Sequence, residues 1–407
     1  MLTLNKNIGY IAASILLLLI FFLPHLIIWD EKWYLNCVNS VTKYGLSIDF
    51  LKYNPTAPVH TLIYYFFDTV FGIYAIGVRL FNFFLCLCMC LLINKIIKLN
   101  QNVTSLQLSY SFTLFTLPCF FVLGFFALTE APCLLLYLTS VYFLFKSINA
   151  SKNNIALSIL SGLFLGLAIL TRQLFLASIF PPLAIFFYKE NKHRFSVIIP
   201  YLLVALLMCV PIFYLWKGIL PPNTPIMPHP EGIISLKHLA LSLGYALFYF
   251  IVALPVYLFN FIAKNKRNIL ILTVVGILIS FFIKDNTFLP ASGALSRFQP
   301  GVVQIIALLF FKLITIFGLI LAYFLLHELY NRRNEFEQVF LILSMLAILA
   351  TPALITHFFS SRYPLQISPL LIIFAHSRLL PIDPKFQFLI NGVCIAISLV
   401  SVITFFY

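Results

Sequence analysis

Apolar runs of 17–25 residues recur from one end of this chain to the other, and no other feature restricts its fold as much. Each run is long enough to cross a hydrocarbon layer of about 30 Å. Lipid offers no partner to a backbone N–H or C=O, so such a run closes its hydrogen bonds internally, as a helix. Only 9% of the 407 residues are charged, against about 25% in a soluble domain, which excludes a globular protein with an internal core. The sequence predicts an all-α polytopic membrane protein with about thirteen crossings. They fall at 8–28, 59–94 (a short surface helix, then a full crossing), 106–126, 131–147, 155–171, 174–188, 196–216, 238–263, 268–283, 302–327, 338–358, 364–380 and 388–406. Residues 8–28 have the character of a signal sequence but lack a small-residue cleavage site before the charged pair, so they are expected to remain as the first helix.

The formal charge of +14 does not point to nucleic acid, because no basic cluster is long enough to follow a phosphate backbone. With the N-terminus cytoplasmic, fifteen of the 26 basic residues fall in inner turns against helix ends and nine in outer loops. That is the asymmetry that orients a membrane protein. The same orientation puts the long non-helical segments outside, at 29–57, 217–237 and 284–301. The second is built on PPNTPIMPHPEG, whose prolines forbid a helix. Of the eight cysteines most sit inside spans; Cys86, Cys88 and Cys90 alternate along one helix and cannot converge on a metal. His229, His238 and His357 have no metal-ligand spacing either. A divalent metal is not indicated.

The stretch FFLPHLIIWDEKWYLNC (21–37) carries an apolar run into two adjacent acids, Asp30 and Glu31. Read as the end of the first helix, the pair opposes the helix dipole by roughly a few tenths of a kcal/mol. In EKWYLNCVNSVTKYG, Trp33, Cys37, Val41 and Tyr44 recur at helical spacing, which predicts an amphipathic helix in the headgroup region, ended by Gly45. An acid held at that depth is placed to take a proton from an acceptor hydroxyl. Tyr34 and Tyr53 flank this segment as pocket candidates. In YNPTAPVHTLIYY (53–65), Thr56 as cap and Pro58 in the first turn fix the entry of a helix. His60, Tyr64 and Tyr65 then share a face. Arg79 lies inside a span, where a charge points to the bundle interior or a cavity; Asp68 is too far along the helix to pair with it. Glu130 opens a crossing from the outside, where acid at a helix start is favourable in any case. Arg172, followed by Gln173, and Arg362, followed by Tyr363, emerge on the outer side, and arginine there suits bidentate contact with phosphate. Lys217, Lys284 and Arg297 are weaker candidates of the same kind. The outer face thus combines acids, cations and aromatics, which suits a substrate with a phosphate, a sugar and an apolar tail.

In this order the motifs DEKWY, NPTAPVHTLIYY, GVRLFNFF, LTEAP, GLAILTRQ and SRYPLQISPLLII resemble the multi-spanning glycosyltransferases that use polyprenyl-phosphate sugars, the GT-C class. Within it the chain is most similar to the protein O-mannosyltransferase and aminoarabinose transferase group. The resemblance covers about 30–380, and TRQ also resembles the eukaryotic glucosyltransferases that finish lipid-linked oligosaccharides. It implies an inverting displacement in which an acid of the first outer loop, Asp30 or Glu31, is the base. It implies that Arg362, with Arg172, holds the phosphate of a polyprenyl-phosphate sugar donor. Two departures stand out: no soluble C-terminal domain is expected after the last helix, and 217–237 and 284–301 align with no motif. The acceptor, whether glycan, lipid or protein, is left open. A bacterial plasma membrane with an outward-facing site is the expected location. Two other classes compete. A transporter or flippase of lipid-linked sugars predicts inverted repeats and broken helices in matching halves, and no symmetry shows. An O-antigen polymerase or ligase predicts its main loop late in the chain.

Overall fold

The computed structural model describes residues 3–54, 58–101, 108–150, 154–187, 192–221, 234–282, 300–354, 359–360, 362–379, 383–404 and 406. All regular elements among them are helical. In order they are α1 (Thr3–Phe22), α2 (Trp29–Asn36), α3 (Asn39–Tyr44), α4 (Ile48–Tyr53), α5 (Pro58–Phe71), α6 (Ala75–Gln101), α7 (Phe120–Phe125), α8 (Glu130–Ile148), α9 (Ile155–Thr171), α10 (Lys192–Trp216), α11 (Leu236–Ala253), α12 (Pro255–Lys264), α13 (Lys266–Phe282), α14 (Pro300–Asn331), α15 (Phe336–Ala350), α16 (Arg362–Leu365), α17 (Ser368–His376) and α18 (Pro384–Ile403). Tighter 3-10 helices occupy Leu108–Thr116, Gln173–Ile179, Pro181–Phe187 and Thr351–Leu354.

Seven described helices are long and apolar enough to cross a membrane: Ala75–Leu99, Glu130–Ile148, Phe195–Trp216, Leu236–Ala253, Lys312–Asn331, Phe336–Leu354 and Lys385–Ile403. Asn7–Phe22, Ile155–Thr171 and Gln173–Ala184 are shorter apolar helices. This is an integral membrane protein of helices. Several of the thirteen expected crossings are interrupted, and proline explains where. A residue before proline is pushed out of helical geometry and proline itself donates no hydrogen bond. Hence α1 stops at Phe22, before Pro24, and not at residue 28. The run 106–126 is split around Pro118, with Cys119 at φ 62°, and 174–188 divides at Pro181 into two 3-10 stretches. Leu254 separates α11 from α12 ahead of Pro255. Pro200 and Pro211 lie inside α10 without ending it, as membrane helices tolerate.

The chain forms two compact units. The N-terminal unit holds residues 13–112 and 123–225. Within it α9 packs against both α8 and α10, and α8 against α6. Where hydrophobicity does not separate helix from lipid, close approach and interhelical hydrogen bonds hold helices together. At Gly162 of α9 a Cβ would collide with the Tyr201 carbonyl of α10. Ser158 donates to Val197 O, and Ser161 Oγ donates to Ser140 O at 2.7 Å. The C-terminal unit holds residues 1–12, 113–122 and 226–407. There α14 packs against α11 and α13, with Gly244 of α11 against the backbone of Ile314. A buried pair, Arg378 Nε to Glu328 Oε2 at 2.9 Å, ties α14 to the end of α17. Tyr257 donates to the same carboxylate at 2.8 Å, and Arg378 Nη1 donates to Gln338 at 3.0 Å and to Phe374 O at 2.9 Å.

Candidate active site

The segment after the first helix is built as three short helices. With α1 ended at Phe22, the apolar stretch up to Ile28 runs without helix, and α2 starts at Trp29. Asp30 and Glu31 therefore stand in the first turn of α2, not at the end of the first helix. There the unpaired N–H groups and the dipole favour acid, the reverse of the expected penalty. The single amphipathic helix expected from Trp33 to Tyr44 is also broken, between α2 and α3, and Trp33 is exposed while Cys37 and Val41 are buried. Gly45 does close α3, at φ 63°, a conformation that glycine adopts without strain.

Helical spacing sends the two acids different ways. Glu31 and Leu35, one turn apart, face inward and are buried, and Leu35 joins a cluster with Val38, Tyr64, Phe67, Val78 and Ala127. Asp30 and Tyr34, also one turn apart, share the neighbouring face and are half-buried. Lys32 and Asn36 are exposed.

Glu31 is fully inaccessible and both its oxygens are occupied. Arg79 Nη2 lies 3.2 Å from Oε2, and the Ala127 N–H donates to Oε1 at 3.2 Å. Arg79, equally buried, donates through Nη1 to Pro24 O at 3.0 Å and through Nη2 to Leu26 O at 2.6 Å. Its guanidinium lies 4.4 Å from the centre of the Phe125 ring. Burial pushes the Glu31 carboxyl above its usual range, opposed by the Arg79 charge and by the Ala127 and Ile28 N–H groups. Arg79 comes to this place because α5 turns into α6 through Gly72, at φ 75°. Asp68 closes that turn by accepting the Ile73 N–H at 2.9 Å. One turn beyond Arg79, Asn82 donates to Leu123 O at 2.6 Å and Phe126 O at 2.8 Å, and accepts from Tyr64 at 3.4 Å.

A second pair lies in the same unit. Arg172 Nη1 stands 2.9 Å from Glu130 Oε1 and donates to Thr129 Oγ1 at 2.6 Å, joining the end of α9 to the start of α8. His60 is buried between the rings of Tyr34 and Tyr64, with centroids 5.3 Å and 4.7 Å away. It belongs to α5, which is not among the spanning helices. Burial holds its imidazole down at about 3, with Glu130 opposing and Arg172 reinforcing the shift. Neither ring nitrogen has a hydrogen-bond partner among the described residues. Gln173 is half-buried beside Arg172, and its buried Nε2 also lacks a described partner. Tyr65 packs on the cluster around Leu35. Tyr53 ends α4, a helix fastened to α10 by Trp216 Nε1 donating to Leu51 O at 2.7 Å.

In the C-terminal unit Arg362 is buried, 5.8 Å from the Tyr363 ring. The ring of Tyr363 lies 5.9 Å from that of Phe359, which in turn lies 5.8 Å from His238. His238 Nδ1 is 3.3 Å from Pro352 O. Lys284, Arg297, Thr56 and the proline-rich 222–230 lie outside the described residues. Asn82 and Thr129 were not picked out from the sequence; a polar residue one turn after Arg79 inside an apolar run was the available signal for the first.

Residues 55–216 match the model of the dolichyl-phosphate-mannose-protein mannosyltransferase family. The match takes in His60, Arg79, Glu130 and Arg172 and agrees with the resemblance read from the ordered motifs. Over those residues the chain is thus similar to a family of membrane mannosyltransferases. The matched segment is less than half of the chain and leaves Asp30, Glu31 and Arg362 on either side of it. No protein of curated function matches. Among solved structures, the chain is similar to ArnT from Cupriavidus metallidurans in the apo state, with 14% identity and a TM-score of 0.46, over 98% of this chain and 76% of that one. At that TM-score no argument rests on the likeness.

Proposed function

We propose that the protein moves a sugar from a polyprenyl-phosphate carrier to an acceptor hydroxyl at the outer face of a bacterial plasma membrane, with Asp30 as the general base. The observation that carries the reading is the division between the two acids. Glu31 has no accessible surface and is held by Arg79 and Ala127, whereas Asp30, at the start of the same helix, is half-buried and keeps accessible surface. A base needs access to the proton it takes, so Glu31 serves as the anchor that aims α2, and Asp30 acts. In one displacement the acceptor oxygen bonds to the anomeric carbon as its proton passes to Asp30. The bond from that carbon to the phosphate oxygen breaks, and the lipid phosphate leaves with the electron pair. A single displacement inverts the anomeric configuration. Arg362 is assigned to the leaving phosphate, where a guanidinium meets the developing charge. The N-terminus is assigned to the cytoplasm on the distribution of basic residues.

The test is transfer from polyprenyl-phosphate mannose and other polyprenyl-phosphate monosaccharides by full-length protein in lipid nanodiscs. Asp30→Asn is expected to lose about two to four orders of magnitude in turnover. Wild-type turnover in that variant removes Asp30 from the reaction. Donor binding unchanged in Arg362→Ala removes the assignment of the phosphate.

A further inference from the structure

Both ring nitrogens of the buried His60 lack a hydrogen-bond partner among the described residues, as does Gln173 Nε2, while most polar groups around them are paired. Tyr64 donates to Asn82 at 3.4 Å, Thr129 accepts from Arg172 at 2.6 Å, Glu130 is paired at 2.9 Å, and Asn54 Nδ2 donates to Thr61 at 3.1 Å. A buried polar atom left unsatisfied is destabilising, and a ligand that met both nitrogens would remove that cost.

The chemistry of the missing partner follows from the ring. Neutral imidazole offers one N–H and one lone pair, the complement of hydroxyl groups, which both donate and accept. A phosphate or carboxylate would call for the protonated ring, and burial strongly opposes that form here. The only described charges that act on the ring, Glu130 and Arg172, already neutralise each other. The position fits as well. His60 touches Tyr34, which stands one turn from Asp30 on the same face of α2. We propose that His60 is a specificity-determining residue that takes hydroxyl groups of the transferred sugar on its two ring nitrogens. The proposal rests on the lipid-linked sugar donor put forward above and adds the group that distinguishes sugar from bare lipid phosphate.

The experiment compares the affinity of full-length protein in nanodiscs for polyprenyl-phosphate mannose, glucose, galactose and arabinose with that for bare polyprenyl phosphate, alongside the melting temperature. Wild type should prefer at least one sugar-bearing lipid. His60→Phe, which keeps the ring and removes both nitrogens, should lower that preference about tenfold or more while affinity for bare polyprenyl phosphate holds. The melting temperature of the empty variant should stay level or rise, because nothing that was hydrogen-bonded has been removed. Gln at the position, with a donor and an acceptor, should restore part of the preference, and serves as the test if the Phe variant does not fold. An undiminished preference in both variants overturns the role of His60 and leaves the donor reading standing, as does an equal loss toward bare lipid. If wild type prefers no sugar-bearing lipid, the donor reading itself fails and takes this inference with it.

Discussion

The two arginine–carboxylate centres of the N-terminal unit are built from the same residue types, yet they end differently. Around Glu31 and Arg79 the Pro24 and Leu26 carbonyls, the Ala127 N–H and the Phe125 ring close the centre completely enough that Glu31 has no accessible surface. Around Glu130 and Arg172 the pair is shorter, 2.9 Å against 3.2 Å, but the imidazole beside it has two nitrogens with no hydrogen-bond partner among the described residues. The Glu328–Arg378 pair of the C-terminal unit follows the first pattern, wrapped by Tyr257, Gln338 and Phe374. In a chain with so few charges, a centre closed by its own protein is architecture. The imidazole beside the second pair, with neither nitrogen hydrogen-bonded among the described residues, is what the proposal for His60 rests on. The contrast also explains how adjacent acids come to differ: helical geometry alone turns Glu31 into the closed centre and Asp30 toward the Tyr34–His60 side.

The comparison breaks most sharply at Arg79. In Arg79→Met the Glu31 carboxylate is left buried with no countercharge, and the loss of a partner in such a pair amounts to about 3–5 kcal/mol. Folded yield and melting temperature in detergent should both collapse. Arg172→Met should do less, roughly 1–3 kcal/mol, because Glu130 stays in the first turn of α8, where the helix dipole favours it. Equal melting temperatures for the two variants would erase the distinction between the centres.

A smaller effect belongs to pH. His60 has a folded value near 3, below its ordinary 6.5, so the native state disfavours a proton that the unfolded chain accepts. Its contribution to stability is therefore complete above pH 6.5 and declines as the pH falls toward 3. The slope approaches about 1.4 kcal/mol per pH unit. Tyr34 of α2, Tyr64 of α5 itself, and the Glu130–Arg172 pair are the groups that face or act on the ring. His60→Phe should flatten the acid limb of a melting-temperature profile between pH 6.5 and 5. A limb of wild-type steepness in the variant would assign it to other groups.

Much of this was legible in the sequence, and the reasons for the rest are physical. Long apolar runs announce membrane helices because lipid leaves the backbone no alternative. The adjacent acids at 30 and 31 stand out as candidates because charge is otherwise so scarce. Proline breaks were written in the sequence as well, at Pro24, Pro118, Pro181 and Pro255, but hydropathy averages over them and returned more unbroken crossings than the structure displays. The pairings were not legible. Glu31 meets Arg79 across 48 residues of chain, and Arg172 meets Thr129 across 43. Neither separation has a period that a single sequence reveals. Arg172 looked like a phosphate ligand in isolation and is held by Glu130 in the fold.

The division of labour between the two acids is tested most directly by measuring turnover and melting temperature together for Asp30→Asn and Glu31→Gln in nanodiscs. The account predicts that the first variant loses about two to four orders of magnitude in transfer with the smaller shift in melting temperature, while the second shifts more in melting temperature and keeps the larger share of its activity. Normal transfer by Asp30→Asn, together with a silent but fully stable Glu31→Gln, would contradict it.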